Sequence, residues 1–264
     1  MINTPKLKSR FLDNEKFTGC WLETFSPIAA EVMAHAGYDI AMIDLEHGPG
    51  SVLDAISMMQ AIQGTDCLPV IRATDSDAAT IKRILDIGPA GIMVPNIRNV
   101  EEARDVVKAC RYGPAGIRGA APPILRASGY GKDVEGYLNW LESEFLLIGQ
   151  VESRSAVDQI NDITAVDGLD MIFIGPTDLS ASLGKLGDFA SNQFKNSMSQ
   201  IEKAVLNAGK LLGCIPFPGY SSEYLYQSGY SFVVAGADNM LLLEVAKNDV
   251  QALHDAMKSN RSSV

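Results

Sequence analysis

The chain has 264 residues, 47% of them apolar, enough to bury a sizeable interior in one large domain or two small ones. A formal net charge of −10 argues against a nucleic-acid or anionic-membrane partner, since either would need a concentrated basic surface to overcome that repulsion. Cys20, Cys67, Cys110 and Cys214 lack the spacing of a zinc knuckle or redox pair, the N-terminus MINTPKLKSRFLDNEKF has no apolar core, and no apolar run nears the roughly 20 residues that span a bilayer; the expectation is a cytoplasmic protein with reduced thiols.

In chain order, Lys6, Lys8 and Arg10 form the only early basic cluster and read as a solvated arm. Short β-branched runs then recur: TGCWLETF from Thr18, YDIAMID from Tyr38, LPVIR from Leu68, AGIMVP from Ala90, FLLIGQVE from Phe145, LDMIFIGP from Leu169, KLLGCIP from Lys210 and YSFVVAG from Tyr230. Between them lie segments with helical spacing of apolar residues, such as SVLDAISMMQAI, AATIKRILDIG, VEEARDVVKACR and the stretch 192–208. Eight βα units in a chain of this length fit a closed parallel (β/α)8 TIM barrel, whose usual size is roughly 250 residues, better than an open sheet. No low-complexity linker interrupts the pattern, so residues 1–264 read as a single barrel domain. The longest insertion, RYGPAGIRGAAPPILRASGYGKDVEGY, is of a length that is usually functional or mobile.

Catalytic groups of such a barrel sit at the C-terminal ends of its strands. There the sequence places Glu23, then Asp44, Glu46 and His47, then Arg72, Asn96, Gln150 and Glu152, Asp178 and Asp238. Glu152 and Asp178 end consecutive strands, which lie about 4.8 Å apart, and could grip one hard cation, Mg²⁺ or Mn²⁺; equally, each could cap the helix that follows. His47 precedes a Gly-Pro-Gly turn that would leave an imidazole of near-neutral pKa at the mouth, although a lone histidine is ordinarily a core or loop residue. Arg72 reads as an anion or enolate clamp or as a surface arginine. Asp44 either orients His47 or satisfies backbone donors of the turn. No lysine stands at a strand mouth, which disfavours a covalent imine mechanism.

With these residues assembled, the chain resembles the HpcH/HpaI aldolase family, metal-dependent pyruvate aldolases on a (β/α)8 barrel. The most specific pieces are IDLEHGP, PVIRATDSD, IKRILDIGPAGIMVPNI, RYGPAGIRG, QVESRSAV and FIGPTDLSASLG. The resemblance implies that Glu152 and Asp178 hold a divalent metal, Mg²⁺ or Mn²⁺ with Co²⁺ or Zn²⁺ as other candidates, with Gln150 beside them. It implies that His47 is the acid/base, that Arg72 stabilises the pyruvate enolate, and that Asp86 assists the histidine, within the chain or across a subunit boundary. The backbone at Gly175 and Pro176 would receive the substrate carboxylate, and Trp21 would line the pocket. A homo-oligomer, commonly a hexamer with exchanged C-terminal helices, is implied as well.

The implied reaction is reversible cleavage of a 4-hydroxy-2-oxo acid, such as a 2-keto-3-deoxy sugar acid or 4-hydroxy-2-oxoheptanedioate, to pyruvate and an aldehyde through a metal-bound enolate. Leu45 stands where many sugar-acid members have glycine, and AAPPILRASGYG after Gly119 is a second departure; both, together with IPFPGY after the seventh strand, are expected to reshape the pocket for the aldehyde portion. Oxaloacetate decarboxylation, as in macrophomate-synthase-like relatives, is an alternative on the same metal site. A phosphate-binding barrel isomerase using VVAGAD leaves Glu152 and Asp178 unexplained, and a non-enzymatic binding module leaves the acids, base and clamp without a use.

Overall fold

The computed structural model describes residues 6–261. All eight expected strands form: β1 (Phe17–Leu22), β2 (Ile40–Asp44), β3 (Leu68–Arg72), β4 (Gly91–Val94), β5 (Leu146–Val151), β6 (Met171–Ile174), β7 (Leu211–Cys214) and β8 (Phe232–Ala237). Each pairs in parallel with its sequence neighbours, and β8 closes on β1 to complete the barrel. Helices Val52–Ala61, Ala78–Asp86, Val100–Cys110 and Asn192–Asn207 lie where apolar spacing places them. Side-chain caps fix several helix starts: Asp77 accepts from Ala79 and Thr80 N–H, Asn99 from Glu102 N–H and Ser191 from Phe194 N–H, each worth about 1 kcal/mol.

Strand residues alternate between two apolar layers. Ile40, Met42, Val70, Met93, Ile148 and Phe173 fill the barrel, whereas Ile43, Ile71, Ile92, Leu147 and Ile172 pack outward against the helices. Both faces are covered, which is why the strands read as continuous apolar runs.

Three expectations are corrected. Lys8 and Arg10 do not belong to a solvated arm: Lys8–Leu12 is a short helix that closes the N-terminal end of the barrel. Leu7 and Phe11, four residues apart, are buried there, with the Phe11 ring 4.3 Å from Phe17 and 6.2 Å from Phe232; Lys8 turns out to meet Asp170 at 2.6 Å. Leu45 does not face the pocket, because period-two alternation turns Asp44 inward and Leu45 out into the helix layer, where it is buried. The insertion after Cys110 leaves a helix C-terminus and leads through helix Val134–Ser143 to the start of β5, so within this chain it departs from the face opposite the strand mouths. It is pinned there, with Ser128 Oγ donating to Pro122 and Leu125 carbonyls and accepting from Gly131 N–H.

The C-terminal helix Asp238–Arg261 is anchored at its first turn and then exposes Met240, Leu242, Leu243, Val245, Val250, Leu253 and Met257. Among the described residues no helix is long and apolar enough to cross a membrane.

Candidate active site

The centre of the mouth is a buried ion pair set by strand register. Asp44 and Arg72 are partners on β2 and β3, and both point inward. Arg72 Nε and Nη2 donate to Asp44 Oδ1 and Oδ2 at 2.7 and 2.5 Å, a bidentate fork. Burial alone would raise the Asp44 carboxyl, yet the guanidinium outweighs it and holds it below its ordinary value. The Arg72 guanidinium carbon also sits over the Trp21 ring, 4.2 Å from its centroid, and Trp21 packs edge-on to Phe173. Two restraints thus hold Arg72, and Nη1 remains, 3.2 Å from Glu46 Oε2.

The turn after β2 follows from the same carboxylate. Asp44 Oδ1 accepts from Glu46 N–H at 3.1 Å, and Asp44 O from Gly48 N–H at 3.1 Å. The two glycines are required by the Phe25 ring: a Cβ on Gly48 would lie 2.3 Å from it and one on Gly50 1.9 Å. The turn leaves the His47 side chain 64% exposed, with Nε2 3.9 Å from Glu46 Oε2. Asp44 is Arg72's partner, so the acid facing His47 is Glu46.

Glu152 does not cap the helix that follows it. Ser153 does so, accepting from Ala156 N–H, while Glu152 is buried with Oε1 accepting from Asn96 N–H at 2.9 Å and Oε2 from the Gln150 amide. Asn96 adopts a left-handed backbone (φ 54°) to deliver that donor. Asp178 is exposed in the first turn of helix Pro176–Ser182, whose N-cap is Gly175. Burial first, then the Asp178 and Glu46 charges, raise the Glu152 carboxyl to about 7 against the pull of the Gln150 and Asn96 hydrogen bonds. Glu46 is raised as well, by burial and then, against the pull of Arg72, by Asp44 and Asp178.

Among the described residues no group of three or more His, Cys, Asp or Glu is arranged to hold a metal ion. Two carboxylates with waters are nevertheless an ordinary set for Mg²⁺, and three observations fit a hard cation here. Gln150 Oε1 is buried without a hydrogen-bond partner, Glu152 and Asp178 repel each other, and Gly175 leaves the space that a Cβ 2.2 Å from Glu152 Oε2 would fill.

Not every expected residue reaches the mouth. Asp86 ends helix Ala78–Asp86 on the opposite face of its own barrel, where Arg118 Nη2 donates to it at 2.7 Å. Asp238 is structural: it accepts from the N–H groups of Glu23, Thr24 and Asn239 and from Thr24 Oγ1, tying the ends of β1 and β8 together. From the IPFPGY segment, Phe217 stacks on Tyr220 at 4.4 Å and tilts against Phe189 at 5.0 Å, a rigid aromatic wall. Glu23 was placed at the mouth but given no role. Its side chain hydrogen-bonds Asp44, and burial followed by that contact raises it to about 7. Continuing the inward alternation of Phe17, Gly19 and Trp21 along β1 was the available signal.

Residues 18–244 match the HpcH/HpaI aldolase/citrate lyase family. The chain is 38% identical over 241 residues to the 2-keto-3-deoxy-L-rhamnonate aldolase of Klebsiella pneumoniae subsp. pneumoniae, covering 91% of this chain and 90% of that one. It is 37% identical over 239 residues to the hydroxypyruvate/pyruvate aldolase of Chromohalobacter salexigens, covering 90% and 94%. The crystal structure of an HpcH/HpaI aldolase/citrate lyase family protein from Burkholderia cenocepacia superposes with a TM-score of 0.88 at 33% identity, over 94% of this chain and 98% of that one.

Proposed function

The chain belongs to the HpcH/HpaI aldolase/citrate lyase family, and on that premise we propose that it is a divalent-metal-dependent carbon–carbon lyase. It cleaves, reversibly, a 4-hydroxy-2-oxo acid, such as a 2-keto-3-deoxy sugar acid or 4-hydroxy-2-oxoheptanedioate, to pyruvate and an aldehyde. The observation that carries this reading is the meeting, at one barrel mouth, of a doubly restrained guanidinium, the mutually repelling carboxylates Glu46, Glu152 and Asp178, and an exposed imidazole.

Each group has a task set by its surroundings. Glu152, Asp178 and Gln150 Oε1 are the oxygens that would hold Mg²⁺ or Mn²⁺, which when bound supplies Lewis-acid polarisation of the 2-oxo acid's oxygens. Arg72, held by Asp44 and Trp21, offers its guanidinium to the oxygen where charge develops as the C3–C4 bond breaks; because it is already positioned, little reorganisation is needed. His47, exposed at the rim, takes the proton of the 4-hydroxyl as the C3–C4 bond breaks and the aldehyde leaves, and a proton delivered to C3 then completes pyruvate. Gly175 and Pro176 border the space in which the substrate carboxylate is received.

Asp86 faces away from this mouth in its own chain, so we assign it a role at a neighbour's His47. With residues 1–264 as one domain, we assign the chain to a homo-oligomer, a hexamer with exchanged C-terminal helices; the exposed apolar residues of Asp238–Arg261 support association. Four free, buried cysteines support a cytoplasmic location. The test is a retro-aldol screen over 4-hydroxy-2-oxo acids with pyruvate detection. Activity should vanish in excess chelator and return with Mn²⁺; full activity in chelator refutes the metal assignment, and no pyruvate from any member of the panel refutes the lyase.

A further inference from the structure

Glu23 is a titratable group at the mouth that the mechanism above does not use. Register makes it part of one row: Leu22 pairs with Ile43, so the next rung sets Glu23 level with Asp44, and Asp44 is level with Arg72. Its backbone is fixed by Asp238, whose Oδ1 accepts the Glu23 N–H at 2.9 Å. Its side chain, half-buried, is in hydrogen-bond contact with the Asp44 carboxylate.

Two carboxyl groups can share a hydrogen bond only with a proton between them. Asp44 already accepts Arg72 Nε, Arg72 Nη2 and the Glu46 N–H, which commits it to the ionised form. The proton therefore resides on Glu23. We propose that Glu23 is a positioning residue that acts through Asp44 and Arg72: its neutral carboxyl donates to Asp44 and leaves the charge of Arg72 available to an anionic 2-oxo acid, and its ionisation turns anions away.

The charges facing Glu23 come from three elements: Asp44 on β2, Arg72 on β3 and Asp238 at the end of β8. Arg72 is the only cation among them and is already engaged by Asp44. A proton lost from Glu23 thus adds a negative charge that competes with a bound anion for Arg72, beside a mouth that also carries Glu46, Glu152 and Asp178. Burial and the Asp44 contact put this transition at about 7, within the range where enzymes work.

That the anion is a 2-oxo acid rests on the lyase reading, so the test separates the two. Binding of pyruvate to the intact Mn²⁺-loaded protein is measured by calorimetry from about pH 6 to 8, with infrared spectra of the same protein. If only the protonated form binds, the apparent Kd rises about tenfold over that interval, by the fraction competent. In Glu23→Gln, which keeps a donor but has no proton to lose, this dependence disappears; in Glu23→Ala, which loses the donor too, binding weakens at every pH. The wild type at about pH 6 shows a protonated-carboxyl stretch that Glu23→Gln lacks. A wild-type Kd flat with pH, a Glu23→Gln profile that follows the wild type, or no such stretch overturns the proposal. No pyruvate binding at any pH overturns the lyase reading and the anion gate with it, whereas binding that ignores pH overturns the gate alone.

Discussion

Arg72 is assigned to chemistry, but its fork with Asp44 makes it a structural residue as well, and Arg72→Met measures that part. Asp44 is 0% exposed and Arg72 7%, so solvent cannot replace what is lost. Removing one partner of a buried, hydrogen-bonded ion pair typically costs about 3–5 kcal/mol, because the other charge is left uncompensated. For a chain of this size that corresponds to a fall of roughly 6–20 °C in Tm. The Asp44 carboxyl is held below its ordinary value of 3.8, so the pair's contribution is fully present above about pH 4 and is lost as pH falls through the depressed value. Differential scanning calorimetry at fixed protein concentration near pH 7 should show the loss, and Arg72→Met combined with Asp44→Asn should recover most of the stability while activity stays absent. A loss below about 1 kcal/mol in Arg72→Met would show that Asp44 is not held as a buried charge, and the derivation of Arg72's restraint would fall with it.

Glu152, raised from 4.5 to about 7 by burial and its acidic neighbours, is protonated more readily folded than unfolded. Its contribution is full below about pH 4.5 and is lost as pH rises through about 7, a swing of about 3 kcal/mol in chelator-treated protein; the Tm of the wild type should fall over that range more than that of Glu152→Gln, and parallel slopes would contradict the assignment. Gly50→Ala would drive a Cβ into the Phe25 ring and should cost roughly 1–3 kcal/mol by overpacking; adding Phe25→Ala should restore the midpoint, and a Gly50→Ala protein as stable as wild type would mean that the turn is not held by that contact. His47→Ala should lower turnover by about 10²–10⁴-fold, the usual worth of a positioned acid/base, with Mn²⁺ affinity retained in calorimetry; lost affinity would make His47 a ligand instead.

How much of this was legible depends on whether a feature is encoded along one strand or between strands. The barrel was legible because both faces of each strand are covered, so runs such as IMVP and MIFIGP announce themselves without reference to their neighbours. The residues of the mouth were legible for a similar reason: Asp44, Arg72 and Glu152 stand at or just past strand ends. Leu7 and Phe11 hid in a polar segment because one turn of apolar spacing is too short a signal to recognise.

Partnership, by contrast, was not legible. The sequence sets Asp44 three residues from His47, which left it either orienting the base or satisfying backbone donors of the turn; it does accept the Glu46 N–H, yet lateral register also set it against Arg72 and left Glu46 facing the imidazole. The same register decides where a proton sits. Glu23 and Asp44 are both carboxyl groups at the ends of adjacent strands, and nothing in either's local sequence separates them. The guanidinium on the far side of Asp44 does: it ionises the carboxyl it can fork, and the other, half-buried and one strand further away, retains the proton. Exchanging which of the two acids is charged would therefore require no change at position 23 or 44, only a cation moved from β3 to β8, the strand that flanks β1 on its other side.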